Sequence, residues 1–168
     1  MKKTTFLIIS LLFFGCGSKN DTSQSYPIAS KGIIDFSDWD FEKDGSVLLD
    51  GEWEFYWNEL LTPEDLKTNN YSPTYVNVPK PWNSYLDENN QPYPAQGYAT
   101  YRLKIITSSK QKKLCVRVTE IRDAYNLWID EDLVIAHGKV GKDKSSMIAR
   151  IDANLTSFEL ENGEAEIL

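Results

Sequence analysis

Histidine and cysteine are scarce in this 168-residue chain, which has one histidine and two cysteines. His137 lies at the end of a strand-like run with no nucleophile evident beside it. Catalysis by a Ser-His-Asp or Cys-His arrangement therefore has almost no support, and we expect no enzymatic activity and no cofactor. If Cys16 is lipidated, Cys115 has no disulfide partner. Because Leu114 and Val116 flank it, we expect Cys115 to be a buried structural thiol.

Long hydrophobic runs are also missing. The longest run, FLIISLLFF at residues 6–14, has about half of the roughly 20 residues that a membrane-spanning helix needs. Two lysines precede it and Gly15-Cys16 follows it, which predicts a signal peptide over residues 1–16. A small residue directly before Cys16 indicates lipidation of that thiol, although the two preceding phenylalanines are atypical and favour the alternative of simple cleavage or an uncleaved anchor. We expect an exported, membrane-anchored protein, in the periplasm or on the outer surface.

An excess of positive charge is absent as well, since the formal net charge is −7. Loss of the signal peptide would leave 16 basic and 25 acidic residues, a net charge of −9. Nucleic acids and anionic lipid surfaces both require a basic surface, so neither is an expected partner of the domain. The 153 residues from position 16 onward are enough for one domain with a hydrophobic core.

The chain does contain a succession of short strand-like runs separated by turn residues. Residues 17–31 are polar and rich in serine, which predicts a flexible linker ahead of a folded domain at residues 32–168. Predicted strands lie at residues 32–41, 47–57, 75–78, 97–106, 113–121, 125–129, 133–137, 157–160 and 165–168. Many short strands and little helix predict an all-β antiparallel β-sandwich or jelly roll.

Three local signals refine this prediction. Trp53, Phe55 and Trp57 alternate with polar residues, the pattern of a half-buried strand. The segment TPED at residues 62–65 predicts a short helix that begins with a capping box. The pair Asn162-Gly163 predicts a hairpin between the last two strands. Because the chain stops inside the second of these strands, we expect it to be the beginning of a longer protein.

Four segments together resemble the sugar-binding-like jelly roll, related to galactose-binding domains, at the N-terminus of glycoside hydrolase family 2 enzymes such as β-galactosidases. The segments are LDGEWEF at residues 49–55, VPKPW at 78–82, GYATYR at 97–102 and AYNLWID at 124–130. In that family a DG-W-F strand, a VP-x-W turn, a Y-R strand and a VWVNG hairpin follow one another in this order. No single segment is specific, but their order and spacing imply this fold.

With GIID at residues 32–35 and WDF at 39–41, the chain more closely resembles the periplasmic N-terminal region of bacterial seven-transmembrane diverse intracellular signalling receptors. This resemblance implies a non-catalytic, ligand-sensing input module. The membrane bundle and an output module such as a cyclase, kinase or phosphatase are missing from this sequence. Two alternatives stay open, a carbohydrate-binding accessory domain of an exported family 2-like glycosidase and a stand-alone surface lipoprotein.

The candidate ligand site combines aromatic side chains with a polar loop. Its predicted members are Trp82, Tyr85, Tyr93, Tyr98 and Arg102. The loop at residues 83–96 is rich in Asn, Gln, Asp and Pro, and such a surface would suit a carbohydrate or another small molecule. The same composition would also suit a loop that packs its aromatics onto the sheet edge, so both interpretations remain.

Asp130, Glu131 and Asp132 cluster three oxygen ligands of the kind that Ca²⁺ prefers. The segment occupies the position where the resembled family has an Asn-Gly hairpin turn. A solvated turn therefore explains these residues, and we expect no metal there.

Overall fold

The computed structural model describes residues 25–108, 110–119 and 121–168, and in them the chain forms nine β-strands, one short α-helix and one 3-10 turn. The strands are β1 (Ile33–Phe36), β2 (Gly51–Trp57), β3 (Thr74–Val78), β4 (Ala99–Thr107), β5 (Lys113–Val118), β6 (Tyr125–Ile129), β7 (Asp132–His137), β8 (Asn154–Glu159) and β9 (Glu164–Ile167). Helix α1 spans Pro63–Thr68, and the 3-10 turn spans Trp82–Ser84. The expectation of an all-β protein is confirmed. The predicted signal peptide and Cys16 lie outside the described residues.

Seven strands form one large sheet in the order β3-β2-β4-β9-β6-β7, with β1 alongside β4. Strand β1 is parallel to β4, whereas the other pairs in this sheet are antiparallel. Strands β2 and β1 pair with successive halves of β4, and β9 pairs with its second half. The β2–β4 register sets Phe55 opposite Tyr101 and Trp57 opposite Ala99. Aromatic side chains of two strands therefore lie side by side on one face.

Strands β5 and β8 form a second sheet of two strands, which packs against one face of the large sheet. Both sheets contribute to one hydrophobic core, so the chain folds as two layers of mostly antiparallel sheet. The principal buried members of this core are Ile34, Phe36, Leu103, Ile105, Leu127, Ile129, Phe158, Leu160, Ala165 and Ile167. Each large apolar side chain buried in this way stabilises the fold by about 1.5–3 kcal/mol before the entropy cost is subtracted.

The predicted C-terminal hairpin is wrong in its pairing, although its turn forms. Asn162 and Gly163 have positive φ angles of 55° and 80°, and Glu161 forms a β-bridge with Glu164. Strand β8 nevertheless pairs with β5 in the small sheet, whereas β9 pairs with β4 and β6 in the large one. The turn carries the chain from one layer to the other, because both strands bury one face in the common core.

Helix α1 begins as predicted, with a capping box. The Oγ1 atom of Thr62 accepts a hydrogen bond from the Asp65 backbone N–H at 3.3 Å, and the Asp65 carboxylate accepts one from the Thr62 N–H at 2.8 Å. The hydrogen bonds from Thr62, first from its side chain, hold the pKa of Asp65 below its ordinary value. Just before the helix, the Leu61 N–H donates to Thr100 Oγ1 at 2.9 Å, which ties α1 to β4.

The folded region starts before residue 32, so the predicted end of the linker is wrong. Ala29 is 3% exposed, its N–H donates to the Asp50 carbonyl at 2.8 Å, and its carbonyl accepts from the Glu52 N–H at 2.9 Å. This close approach depends on Gly51, which has a φ of 119°. A Cβ atom at Gly51 would lie 2.3 Å from the Ala29 carbonyl oxygen, so no larger residue fits there.

Cys115 is exposed, so the prediction of a buried thiol is wrong. Alternation along β5 turns Leu114 and Val116 toward the core, where both are half buried. Cys115 lies between them and therefore points outward, on the side that also carries Lys113 and Arg117. Apolar neighbours in the sequence of a strand indicate its buried face, and the residue between two of them belongs to the other face.

Candidate functional site

An aromatic cluster forms where β2 and β4 meet the loop that follows β3. Its members are Phe55, Trp57, Trp82, Tyr85, Tyr93 and Tyr101. Phe55, which is 1% exposed, lies at the centre of the cluster. Its ring centroid is 4.9 Å from that of Tyr101, 5.4 Å from Tyr93, 5.8 Å from Tyr85 and 6.1 Å from Trp57. Rings at these distances, tilted or edge-on, attract one another beyond their burial alone.

Strands β2 and β4 position three rings of the cluster, those of Phe55, Trp57 and Tyr101. Phe55 and Trp57 are two residues apart on β2 and therefore share a face, and Tyr101 lies directly opposite Phe55 on β4. Gly97, just before β4, leaves room for the indole of Trp57. A Cβ atom at Gly97 would lie 2.2 Å from the Cη2 atom of that ring, so the absence of a side chain allows the Trp57 ring to approach the backbone closely.

The loop after β3 supplies the other three rings of the cluster, those of Trp82, Tyr85 and Tyr93. The indole Nε1–H of Trp82 donates to the Pro94 carbonyl at 3.0 Å, which joins the two ends of the loop. The Tyr85 hydroxyl lies 2.8 Å from the Asn77 carbonyl and 3.1 Å from the Lys80 carbonyl. The Tyr85 bond to Asn77 fixes the Tyr85 ring relative to β3, and the Trp82 bond to Pro94 fixes the indole relative to the far end of the loop. The loop therefore packs its aromatics against the sheet, as one of the two interpretations of its composition required.

Three of the five predicted ligand residues come together in this cluster, and they differ in exposure. Tyr85 is 8% exposed, and burial raises the pKa of its hydroxyl, so it supports the cluster from within. Trp82 and Tyr93 are half buried and keep part of their surface open to solvent. Tyr98 is also half buried but stands apart, with the Nζ atom of Lys142 over its ring at 5.8 Å from the centroid.

Arg102 does not join the aromatic cluster as predicted, because it lies on the other face of β4 from Tyr101. Its Nη1 atom is 3.2 Å from Glu54 Oε2, and its Nη2 atom is 2.5 Å from Glu166 Oε2. Tyr56 donates its hydroxyl to the same Glu54 oxygen at 2.7 Å. Burial of the guanidinium opposes its charge, but the bonds to Glu166 and Glu54 outweigh that effect and raise the pKa of Arg102. This network joins three strands and leaves Arg102 no free role at the cluster.

Trp57 was predicted as a strand residue and not as a ligand residue, yet it contributes to the partly open surface of the cluster. It is half buried at the end of β2, with its ring centroid 4.9 Å from Tyr93 and 5.7 Å from Trp82. The alternation of residue types along β2 predicted which face carries Trp57. It did not predict that this last residue of the strand would keep part of its ring in solvent. Together the three rings form a partly open aromatic surface next to a loop with the exposed amides of Gln91 and Gln96. Such a combination can stack on the apolar face of a sugar ring and hydrogen-bond its hydroxyls.

A separate cleft of about 240 Å³ lies between α1 and the β6–β7 turn. It is lined by Thr62, Pro63, Glu64, Lys67, Trp128 and Glu131. Lys67 and Glu131 form an ion pair beside it. Asp130 has a φ of 52° and accepts the Glu166 N–H at 2.8 Å. Asp130 and Glu131 form the predicted hairpin turn, and Asp132 is already the first residue of β7. In the described part of the chain, no three His, Cys, Asp or Glu side chains are grouped to hold a metal ion.

His137 is built into the interior of the fold and is 3% exposed. Its Nδ1 atom is 2.9 Å from the amide nitrogen of Asn154, and the Tyr125 ring stacks on the imidazole with centroids 4.9 Å apart. The same Asn154 nitrogen donates to the Tyr125 hydroxyl at 2.9 Å. The three side chains tie β6, β7 and β8 together, so the imidazole acts as a packed structural group at this end of the fold.

Fold and site together define an all-β protein of two layers with an aromatic cluster that is partly open to solvent. No protein-family model, curated protein or solved structure matches the chain. Within the residues that the structure describes, no helix has the length and apolar character needed to cross a membrane.

Proposed function

We propose that this chain is a non-catalytic ligand-binding domain that works outside the cytoplasm as the input module of a membrane signalling receptor. The observation that carries the proposal is the aromatic cluster, in which Trp57, Trp82 and Tyr93 are half buried around a common surface. A carbohydrate, or a small molecule that likewise combines an apolar face with hydroxyl groups, is the ligand class that this surface suits.

The buried part of the cluster prepares this surface for binding. Phe55 lies behind the half-buried rings and contacts those of Trp57 and Tyr93, and the backbone of Tyr85 is hydrogen-bonded to the backbones of Trp82 and Tyr93. Side chains that are already ordered lose little conformational entropy when a ligand arrives, which favours affinity. The aromatic cluster is therefore suited to act as a rigid platform on which a ligand stacks.

The remaining parts of the proposal depend on the sequence. The two-layer all-β architecture is compatible with a jelly roll of the galactose-binding type, and the four ordered segments support that assignment. The basic and apolar N-terminus, followed by Cys16, supports export and attachment to a membrane, by a lipid or by a membrane bundle further along the protein. Removal of the first residues leaves an acidic domain, which favours neutral ligands over nucleic acids and anionic lipids.

Calorimetric titration of the full chain with a panel of neutral mono- and oligosaccharides tests the ligand site. We expect binding by wild type, and Trp82→Ala should weaken it about tenfold or more, because a buried aromatic contact at a binding site is typically worth more than 1 kcal/mol. Trp82→Phe should restore part of the affinity. Wild-type affinity in Trp82→Ala would contradict the site, and thermal unfolding of each variant separates lost binding from lost folding.

Trp128→Ala is the matched control for this experiment. Trp128 is also half buried, but it lines the cleft beside α1, away from the aromatic cluster. We expect this variant to bind the saccharide as wild type does. Arg102→Met should likewise bind normally, since Arg102 faces Glu54 and Glu166.

Sequencing the gene beyond residue 168 tests the receptor assignment. We expect seven apolar stretches of about 20 residues each, followed by a cytoplasmic output domain. A barrel-like βα repeat with paired glutamates would instead indicate an accessory domain of a glycosidase, and a stop codon soon after Leu168 would indicate a stand-alone lipoprotein. Mass spectrometry of the mature N-terminus tests lipidation, which an unmodified Cys16 would rule out.

A further inference from the structure

In the two-stranded small sheet each strand has one edge that pairs with no strand among the described residues, and the edge of β5 lies on a surface that the proposed ligand site does not use. Strand β5 pairs with β8 over its whole length, from Lys113 opposite Glu159 to Val118 opposite Asn154. Among the described residues, the other edge of β5 pairs with no strand. A strand edge of this kind carries unpaired N–H and C=O groups and is a template for the addition of another strand.

The inward-facing side chains of β5 are only partly covered. Phe158 on β8 is buried and 8% exposed, whereas its direct partner Leu114 on β5 is half buried. Val116 and Val118 also point to the core and are half buried. Only the Leu114–Phe158 pair differs in this way, because Thr156 and Asn154, opposite Val116 and Val118, are half buried as well. Three apolar side chains of β5 therefore keep part of their surface in water. One more strand along β5 would remove that surface from water.

The open edge carries a positive charge, opposite in sign to the net charge of −7 of the chain. Residues 110–118 contain Lys110, Lys112, Lys113 and Arg117 and no carboxylate. All four cations are exposed. None of them forms an ion pair with any residue of the described ranges. The charges of Lys110, Lys112 and Arg117 are therefore available to an incoming acidic group, and Lys113, which lies opposite Glu159 across the strand pair, forms no ion pair with it.

We propose that the free edge of β5 binds an extended segment of a partner protein in which acidic side chains alternate with apolar ones. Added as a strand, such a segment would form backbone hydrogen bonds with β5 and place its apolar residues over Leu114, Val116 and Val118. Its acidic residues would then lie on the outer side, opposite Lys113 and Arg117. Backbone bonding supplies affinity in this mode, and the alternation of side chains sets the register.

A second copy of this chain is a poor occupant of the same edge. Antiparallel pairing of two β5 strands about Cys115 would set Lys113 of one copy opposite Arg117 of the other. Like charges directly opposite each other destabilise a strand pair, and edge lysines commonly protect proteins from such self-association. The same charges attract an acidic strand, so they select a partner of opposite pattern over a copy of the chain.

Fluorescence anisotropy with labelled synthetic peptides tests the proposal on the full chain. The probe is a six-residue peptide, as long as β5, in which glutamates alternate with valines. Its controls are a lysine–valine peptide and a peptide of the same composition with the alternation removed. We expect the glutamate–valine peptide to bind and both controls to bind at least tenfold more weakly. Absence of binding at about 1 mM, or equal binding of all three, would overturn the proposal.

Charge reversal on the protein localises the contact. The double variant Lys113→Glu with Arg117→Glu changes two exposed side chains, and it should bind the glutamate–valine peptide about tenfold more weakly and gain affinity for the lysine–valine peptide. Lys144→Glu, at an exposed loop position, is the matched control and should bind as wild type does. Hydrogen exchange should show new protection at residues 113–118 when the peptide is bound. Protection elsewhere, or an unchanged peptide preference in the double variant, would refute the β5 site without affecting the saccharide site.

Discussion

Replacing Phe55 with leucine measures how strongly ring contacts hold the aromatic cluster together. The matched control is Phe36→Leu in the main core. Phe55 and Phe36 are 1% and 2% exposed, so both substitutions remove the same atoms from fully buried positions. Phe55 has four aromatic neighbours, whereas Phe36 has a ring contact with Phe41 at 5.2 Å. The difference between the two variants therefore reports the additional ring contacts.

The expected difference follows from the number of contacts. Each aromatic pair contributes about 0.5–1.5 kcal/mol beyond the area that it buries. Phe55 has three more pairs than Phe36, and the lower value applies because all of them share one ring. Phe55→Leu should then lower the free energy of unfolding by about 1.5 kcal/mol more than Phe36→Leu. With an m-value of about 1.5 kcal/mol per molar urea, the midpoints should differ by about 1 M.

Equilibrium urea unfolding, followed by tryptophan fluorescence and separately by circular dichroism, is the assay. The two probes should give coincident transitions for both variants, which validates the comparison of free energies. Equal midpoints for the two variants would show that the cluster is held by burial alone. In that case the half-buried rings of Trp57, Trp82 and Tyr93 would lack a rigid support, and the proposal of a preformed ligand platform would be refuted.

Three further substitutions have expected outcomes. Asp130→Asn should raise the urea midpoint at neutral pH, because partial burial raises the pKa of Asp130 and its charged form loses stability as the pH rises through that value. The gain should disappear at about pH 3, where the carboxyl is protonated in both states, and an unchanged midpoint at neutral pH would contradict the reasoning. Gly97→Ala should cost about 1–3 kcal/mol in thermal unfolding, because its Cβ would collide with the Trp57 ring, and an unchanged melting temperature would contradict that contact. Thr62→Ala should cost about 1 kcal/mol by loss of the helix cap, measured by the same method.

Features that depend on neighbouring residues could be predicted from the sequence. Alternation of apolar and polar residues identified the strands and the face that carries Phe55 and Trp57. The TPED segment predicted the capping box of α1, since a cap needs side chains three residues apart. The strands around Asp130 predicted the β6–β7 hairpin for the same reason, because its partners are close in the chain. These interactions are local, so the pattern of residue types nearly determines them.

The candidate site could be predicted in part. Trp82, Tyr85 and Tyr93 come together as expected, because one loop carries all three. Arg102 was predicted at the same site, yet it lies on the other face of β4 from Tyr101, and its partner Glu166 is 64 residues away. No local pattern marks such a distant partner. The exposure of Cys115 could have been inferred from the alternation along β5.

The sequence by itself determined the class of this fold, the capping of its helix and the aromatic character of its candidate site. Tertiary structure alone decided which strands became neighbours: Asn162-Gly163 forms the predicted turn, yet β8 and β9 enter different sheets. It also decided that Trp57 meets Trp82 and that the edge of β5 stays open. The physical reason is that burial in a common core depends on contacts between residues far apart in the chain. A turn residue specifies a change of direction, whereas the partner of each strand depends on which pairing buries the most apolar surface.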